Sequence, residues 1–356
     1  MSTLDSASSG SEAKRKDSQS GEVLLDWCRK LIESDEKKAF FYHVVEMKVM
    51  KRKGRTDSLF YFPPCTLSEG TMQIIEKINS YIEKSLDSGF TPQNAKYIRQ
   101  LVILFKLLIP IKYGESLIQF PQFNMILYND CYRIAHELDI ISIKYYSNST
   151  ENLLSDAAAT LRVFAEKERQ ALIKRQSTIL HSYLSECKKF KDLYSNMKQN
   201  KKAMEKIINQ LDTLKRLWCQ VVDSSNGIIL SSFGEILEPI LKTMAFHIVG
   251  IADIGENESQ DISTLMSFLI QWISENLSFE NGEISKFIPS WMMFRAVKSV
   301  MAMSLLEILD DVNLCSSNRK LAGLPPSDLI KLVKALFQES DKRKEVINVI
   351  SQKTIE

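Results

Sequence analysis

Apolar side chains recur at steps of three and four along most of the chain, a spacing that places them on one face of an α-helix. The most regular series consists of Met204, Ile207, Leu211, Leu214, Trp218 and Val221. Another follows Pro121 and comprises Phe123, Ile126, Leu127, Cys131, Ile134, Ala135, Leu138 and Ile141. Alternation with a period of two is weak and is confined to residues 59–64, where two prolines argue against a sheet. The pattern therefore predicts an all-α protein.

The C-terminal part of the chain carries two further stripes. One predicts a helix over Ser290–Val312 and is formed by Phe294, Val297, Met301, Leu305, Ile308 and Val312. The other follows the double proline Pro325-Pro326 and predicts a helix that begins at Ser327, its capping residue, and continues past Phe337. Two such stripes joined by a loop of roughly a dozen residues predict a pair of packed antiparallel helices.

Start and stop signals predict three more helices. A possible capping box at Thr66–Glu69 opens the first of them. Thr91-Pro92 supplies a cap and a first-turn proline for the second, which is expected to stop near Pro110 because proline interrupts a helix. The third is a long helix from Asn152 to about Met197.

These elements predict four regions. Residues 1–21 are polar and rich in serine, and they should form a disordered tail because they bury too little to offset the entropy of ordering. Residues 22–58 form a short helical segment and a basic linker, residues 59–150 a helical middle domain, and residues 151–356 a C-terminal helical bundle domain. The basic run Lys51–Arg55 is interpreted as solvated linker, with a localisation signal or a site for an acidic partner as the alternative.

Composition favours long helices and restricts the classes of function. Only 12 glycines and 9 prolines punctuate 356 residues, which disfavours a protein of many short strands. The net charge of +2 gives no overall field that would attract nucleic acid or anionic lipid. The most apolar run, Leu101–Ile111, is about half the length that a bilayer requires and contains Lys106, so it is assigned to the core. Six scattered cysteines predict reduced, buried or half-buried thiols of a cytosolic protein, namely Cys28, Cys65, Cys131, Cys187, Cys219 and Cys315.

The residues that could carry chemistry do not complete a motif. His136-Glu137 begins a zinc-protease pattern, but Ile140 occupies the place of the second histidine. Asp310-Asp311 resembles the start of an aspartate-rich magnesium motif, but Leu314 stands where the third aspartate belongs, so the pair is interpreted as the end of a helix. Neither a glycine-rich phosphate loop nor a nucleophile elbow occurs. We therefore predict no catalytic, cofactor-binding or metal-binding residues and no enzymatic activity.

Three segments carry a distinctive order of residues. The C-terminal one contains Pro289-Ser290-Trp291-Met292-Met293-Phe294, then Leu329–Gln338 and Asp341-Lys342-Arg343. The earlier two are Pro64-Cys65-Thr66-Leu67-Ser68-Glu69 and Asn129–Leu138. In order and spacing they resemble the C-terminal part of the Zeste White 10 family. The similarity spans about Leu59 to Ile350, which is most of this chain but only the C-terminal part of a typical, longer family member.

The resemblance implies an elongated multi-helix rod of antiparallel helix bundles, similar to subunits of vesicle-tethering complexes, and a non-catalytic scaffold. Family members act at the kinetochore with the Rod and Zwilch proteins, in the mitotic checkpoint and in recruitment of dynein–dynactin. They also act at the endoplasmic reticulum, in a tether that meets SNAREs to receive Golgi-derived vesicles. The implied location is cytoplasmic, at the kinetochore in mitosis and peripheral at the endoplasmic reticulum membrane, without direct nucleic-acid binding or a transmembrane segment.

Some alternatives stay open. A dynactin contact is not expected, because the family's N-terminal half, which contributes to it, has no counterpart here. A helical adaptor of another trafficking complex would share the fold but would not bind a Rod-like protein. An all-α enzyme would show a deep pocket with converging carboxylates. Trp291 and Phe294 fit core packing best by their helical spacing, and a partner-binding hot spot is the alternative.

Overall fold

The chain is all-α, as the hydrophobic pattern predicts. A computed structural model describes residues 62, 65–85, 91–146, 153–187, 193–222, 227–277, 284–314 and 319–352. In these ranges the helices are α1 (Glu69–Ser85), α2 (Pro92–Gln119), α3 (Pro121–Tyr146), α4 (Leu153–Glu186), α5 (Leu193–Cys219), α6 (Gly227–Val249), α7 (Glu256–Asn276), α8 (Ile284–Phe287), α9 (Trp291–Val300), α10 (Leu305–Asn313), α11 (Pro326–Leu336) and α12 (Asp341–Gln352). The predicted tail (1–21), the segment 22–58, Pro64, Cys28 and Cys315 lie outside the described residues.

The chain divides into two compact units. The first consists of Met1–Arg169 together with Gln220–Asp223, and the second of Gln170–Cys219 together with Ser224–Glu356. The dividing point therefore falls within α4. The domain boundary predicted at residue 150 stays a prediction.

The core of the first unit is built from α1, α2, α3 and the first part of α4. Each of these helices contributes an apolar stripe at helical spacing, including Ile74 and Ile78 of α1, Ile98 and Phe105 of α2, Ile134 and Leu138 of α3, and Leu161 and Ala165 of α4. The predicted stripe after Pro121 lies on α3, and most of it is buried. This confirms the prediction made for that helix.

Helix α2 does not stop near Pro110, so that prediction is wrong. The helix continues through the proline to Gln119. Proline removes one backbone hydrogen bond and costs about 3 kcal/mol in a helix interior. Burial of Ile109, Tyr113 and Leu117 on either side of it offsets this cost, because each of them packs in the core of the first unit.

The core of the second unit contains the most regular stripe of the sequence. All six of its residues are buried. The first five, from Met204 to Trp218, lie on α5, which makes its most extensive helix contact with α7, whereas Val221 follows the helix and belongs to the first unit. Trp218 of α5 lies against Phe233 of α6 with ring centroids 5.0 Å apart, and Phe233 lies against Trp272 of α7 at 5.5 Å. Trp272 also donates from Nε1 to Asp212 at 2.6 Å. The helical stripe that this spacing predicts is thus present and buried.

The single long helix predicted from Asn152 to about Met197 is wrong, because α4 ends at Glu186 and α5 begins at Leu193. At the end of α4 the Cys187 N–H donates to Leu184 O at 3.0 Å, which tightens the last turn. The Glu186 carbonyl accepts from Gln199 Nε2 at 3.4 Å, and its carboxylate lies 2.7 Å from Lys206 Nζ. Side chains of α5 therefore bond to the last residue of α4, both at its carbonyl and at its carboxylate.

The helix predicted over Ser290–Val312 is also wrong, because it is divided into α9 and α10. Ser304 caps α10: its N–H donates to the Glu307 carboxylate at 2.7 Å, and its Oγ accepts from the Glu307 N–H at 3.4 Å. This reciprocal capping box starts a new helix. Apolar residues recur at steps of three and four on both sides of the break between Val300 and Leu305, so their spacing alone predicts one continuous helix.

The start and the partner of α11 differ from the prediction as well. The N-cap is Pro325, Ser327 lies inside the helix, and the helix ends before Phe337. Helix α9 packs mainly on α6 and α7, whereas α11 packs mainly on α12 and α6. The prediction that these two stripes pack mainly against each other is therefore wrong, because other helices of the second unit cover each of them.

Gly234 allows α6 to approach α8 closely. A Cβ atom added there would lie 2.5 Å from the Phe287 carbonyl oxygen and 2.8 Å from the Phe287 Cβ. We expect Gly234→Ala to lower the free energy of unfolding by about 2 kcal/mol, because overpacking outweighs the gain in helix propensity. Gly114→Ala in α2 is the control: nothing lies within 4 Å of its Cβ position, so stability should rise by about 0.5–1 kcal/mol. Urea unfolding followed by circular dichroism measures both, and equal effects would contradict the close approach.

Candidate interaction surface

The two N-terminal motif segments meet at the start of α1. The Ser68 N–H donates to Asp130 Oδ1 at 2.8 Å, and Ser68 Oγ accepts from the Thr71 N–H at 3.2 Å. Ser68 is therefore the residue that caps α1, and the predicted capping box with Thr66 as the cap is wrong. The buried carboxyl of Asp130 thus accepts one of the free N–H groups at the start of the helix.

Asn129 joins two segments of the first unit that are distant in sequence. Its Nδ2 donates to Thr66 O at 3.0 Å and to Val221 O at 2.9 Å. The Thr66 N–H also donates to Val221 O at 3.0 Å, and Cys65 and Val222 form an isolated antiparallel bridge. A single buried amide thus holds the chain before α1 against the chain after α5. We call the group of Ser68, Asn129, Asp130 and Val221 the motif junction.

Burial changes the acid–base properties of the junction. Removal from water raises the pKa of Asp130 to about 7, although hydrogen bonds from Ser68 and Thr71 act in the opposite direction. Its second oxygen, Oδ2, is buried without a hydrogen-bond partner. Burial and the nearby Asp130 carboxylate raise the pKa of the Cys65 thiol to about 12, so this thiol is not poised as a nucleophile.

Residues of the C-terminal motif also make contacts within the fold. The Ser290 N–H and Oγ both donate to Glu238 Oε2 at 2.8 Å, which fixes the start of α9 on α6. Trp291 and Phe294 are buried, so core packing, rather than partner anchoring, is their role. Arg343 donates from Nη1 to the Phe337 carbonyl at 2.6 Å and so satisfies the end of α11.

The residues considered for chemistry make structural contacts within their own units. His136 is half-buried, with its ring centroid 5.4 Å from that of Phe62. The Asp311 carboxylate accepts the N–H groups of Lys320 at 2.8 Å and Leu321 at 3.1 Å, so it organises the chain after α10. In the described part of the chain, no three His, Cys, Asp or Glu side chains come together as a possible metal site. Cys131 and Cys187 are buried and Cys65 and Cys219 half-buried, as predicted for these four thiols.

An apolar surface lies on α2, on the side away from the core. Its residues are Ile103 (43% exposed), Leu107 (57%), Ile111 (80%) and Ile118 (62%), which we call the α2 face. The assignment of the whole run Leu101–Ile111 to the core is therefore wrong for these outward positions. None of the described helices is long and apolar enough to cross a membrane. The sequence does contain a signal for this outward apolar surface: hydrophobic residues occur around the full circumference of α2. A helix with a single buried side needs only one apolar stripe.

The fold and its contacts define a class: an all-α protein whose distinctive motifs maintain helix packing. Comparison with known proteins identifies the family. A model described as the ZW10 C-terminal helical domain matches residues 202–350, and one described as centromere/kinetochore protein zw10, C-terminal, matches residues 60–182. The chain belongs to the Zeste White 10 family and corresponds to its C-terminal portion.

Curated relatives agree with the two models. The centromere/kinetochore protein zw10 homolog of Rattus norvegicus is 25% identical over 305 residues, which cover 80% of this chain and 39% of that protein. The Caenorhabditis elegans homolog is 22% identical over 82% of this chain and 41% of its own length, and the Arabidopsis thaliana homolog is 20% identical over 81% and 40%. The chain thus spans about two fifths of the length of these relatives.

Two solved structures resemble the chain, each with a TM-score below 0.5. The globular tail of Myo4p has a TM-score of 0.48 and 13% identity, covering 94% of this chain and 92% of that one. The C-terminal domain of the exocyst subunit Sec6p has a TM-score of 0.47 and 14% identity, covering 99% and 95%.

Proposed function

We propose that this chain is a non-catalytic scaffold subunit that acts as Zeste White 10 proteins do. The observation that carries the proposal is the family match, which extends over residues 60–182 and 202–350. The curated relatives that share it are named centromere/kinetochore proteins. A scaffold needs rigid helical surfaces rather than a reactive centre, and the packed helices of both units supply such surfaces.

The partners of this scaffold would be proteins of two settings. One is the kinetochore in mitosis, with Rod-like and Zwilch-like subunits. The other is the endoplasmic reticulum, where this chain would lie peripherally on the cytoplasmic side of the membrane, with tether subunits and SNAREs as its partners. Because the motif residues Asn129, Asp130, Ser290 and Phe294 are buried, they act on partners only by maintaining the fold. Partner contacts must come from exposed residues of the helices.

Affinity purification of the tagged chain from its own cells tests the proposal. We expect Rod-like and Zwilch-like proteins in mitotic cells, tether subunits in interphase cells, or both, identified by mass spectrometry. The same purification with Asn129→Asp, which is expected to unfold the motif junction, should lose these proteins while Asn209→Asp, at an exposed helical position, keeps them. Recovery of neither partner group at either stage would contradict the proposal, and subunits of another trafficking complex in their place would favour the adaptor alternative.

A further inference from the structure

The α2 face is a surface with the properties of a helix-binding site. Ile103, Leu107 and Ile111 follow one another at steps of four, and Ile118 continues the same side of the helix. Their exposure contrasts with that of Phe105 and Ile109, which alternate with them and are buried. A helix that is apolar around its circumference is normally covered on every side. The α2 face therefore calls for an occupant with a matching apolar stripe.

The sequence contains such a stripe ahead of the described residues. In residues 22–36, Val23, Trp27 and Leu31 recur at steps of four. Ridges formed by residues four apart on two helices interdigitate in the most common class of helix packing. The spacing of this segment thus equals the spacing of Ile103, Leu107 and Ile111 on α2.

Charge also favours this segment as the occupant. Residues 22–36 contain five carboxylates (Glu22, Asp26, Glu33, Asp35, Glu36) and two cations (Arg29, Lys30). Helix α2 contains four cations (Lys96, Arg99, Lys106, Lys112) and one carboxylate (Glu115). An acidic helix would therefore meet a basic one, whereas two copies of α2 would bring charges of the same sign together.

Chain connectivity permits the contact. Residues 37–64 can extend over roughly 90 Å at ~3.3 Å per residue, which exceeds the length of any helix of the first unit. A segment attached to the same chain also has a high effective concentration at its site. We propose that residues 22–36 bind the α2 face as an amphipathic helix within the same chain.

Site-specific cross-linking in the full chain tests this contact. A photo-reactive phenylalanine analogue replaces Ile111 in the test protein and Val163, exposed on α4, in the control. The purified protein is an equal mixture of ¹⁴N- and ¹⁵N-labelled chains, so that cross-links within one chain are distinguished from those between chains. We expect position 111 to cross-link to residues 22–36 within single chains and position 163 not to do so. Cross-links between two α2 helices, or none to residues 22–36, would overturn the proposal.

Hydrogen exchange gives an independent reading that does not depend on cross-linking efficiency. The amides of residues 22–36 are expected to exchange at least tenfold more slowly in the wild-type chain than in the double variant Leu107→Asp/Ile111→Asp. Val163→Asp is the matched control and should retain the protection. Thermal unfolding of each variant verifies that the first unit stays folded. If the exchange rates of residues 22–36 are the same in all three proteins, the segment does not bind the α2 face.

Discussion

Replacing Asn129 by aspartate is expected to lower the free energy of unfolding by about 4 kcal/mol at pH 8. The substitution changes only the amide group, but it replaces the donor that serves Thr66 O and Val221 O at 3.0 and 2.9 Å. A buried carboxylate would then face two carbonyl oxygens with the Asp130 carboxyl next to it in the sequence, and uncompensated buried charge costs about 3–5 kcal/mol. Urea unfolding at pH 8 measures the loss.

The same variant should recover part of its stability in acid. Protonation neutralises the new carboxyl and returns one donor to the site, so the deficit at pH 5 is expected to be smaller than at pH 8. Asn209→Asp makes the same chemical change at an exposed position of α5 and should alter stability by less than about 0.5 kcal/mol. Equal losses for the two variants would show that the amide of Asn129 does not hold the two segments together.

The contribution of Asp130 to the unfolding free energy of the wild-type chain should fall as pH rises from about 4 to 7. Its folded-state pKa is about 7, against an ordinary value of 3.8 for this carboxyl. A group with a raised folded pKa contributes stability that is complete below its unfolded pKa and is lost as pH passes its folded pKa. At about 1.4 kcal/mol per pKa unit, the loss amounts to roughly 4 kcal/mol at most.

Asp130→Asn removes this pH dependence, because an amide does not titrate. Asparagine keeps an oxygen that can accept the Ser68 N–H, so the cap of α1 survives. The variant is expected to be less stable than the wild type, or equal to it, at pH 5 and to gain on it at pH 8. Asp310→Asn changes an exposed carboxylate and is the control. If Asp130→Asn retains the wild-type slope between pH 4 and 7, the carboxyl of Asp130 is not its source.

The motif junction and the α2 face differ in how well the sequence predicts the position of their residues. The motif segments are distinctive in residue order, and in the structure their Asn129 and Asp130 connect distant parts of the first unit. The apolar run Leu101–Ile111 predicts that Leu107 and Ile111 lie in the core, but both are exposed. Hydrophobicity reports that a side chain prefers to be covered, but it does not report which helix covers it.

The sequence by itself determined the all-α class, the start of α2 at Thr91-Pro92, the buried stripe of α5 and the family. These features depend on local spacing and on residue order, which are present in the chain before it folds. The tertiary structure decided that α2 continues through Pro110, that Ser304 separates α9 from α10, and that Asn129 bonds to Val221, 92 positions away. Caps, helix partners and tolerated prolines depend on groups that meet only after folding, because their free energies come from contacts between residues far apart in sequence.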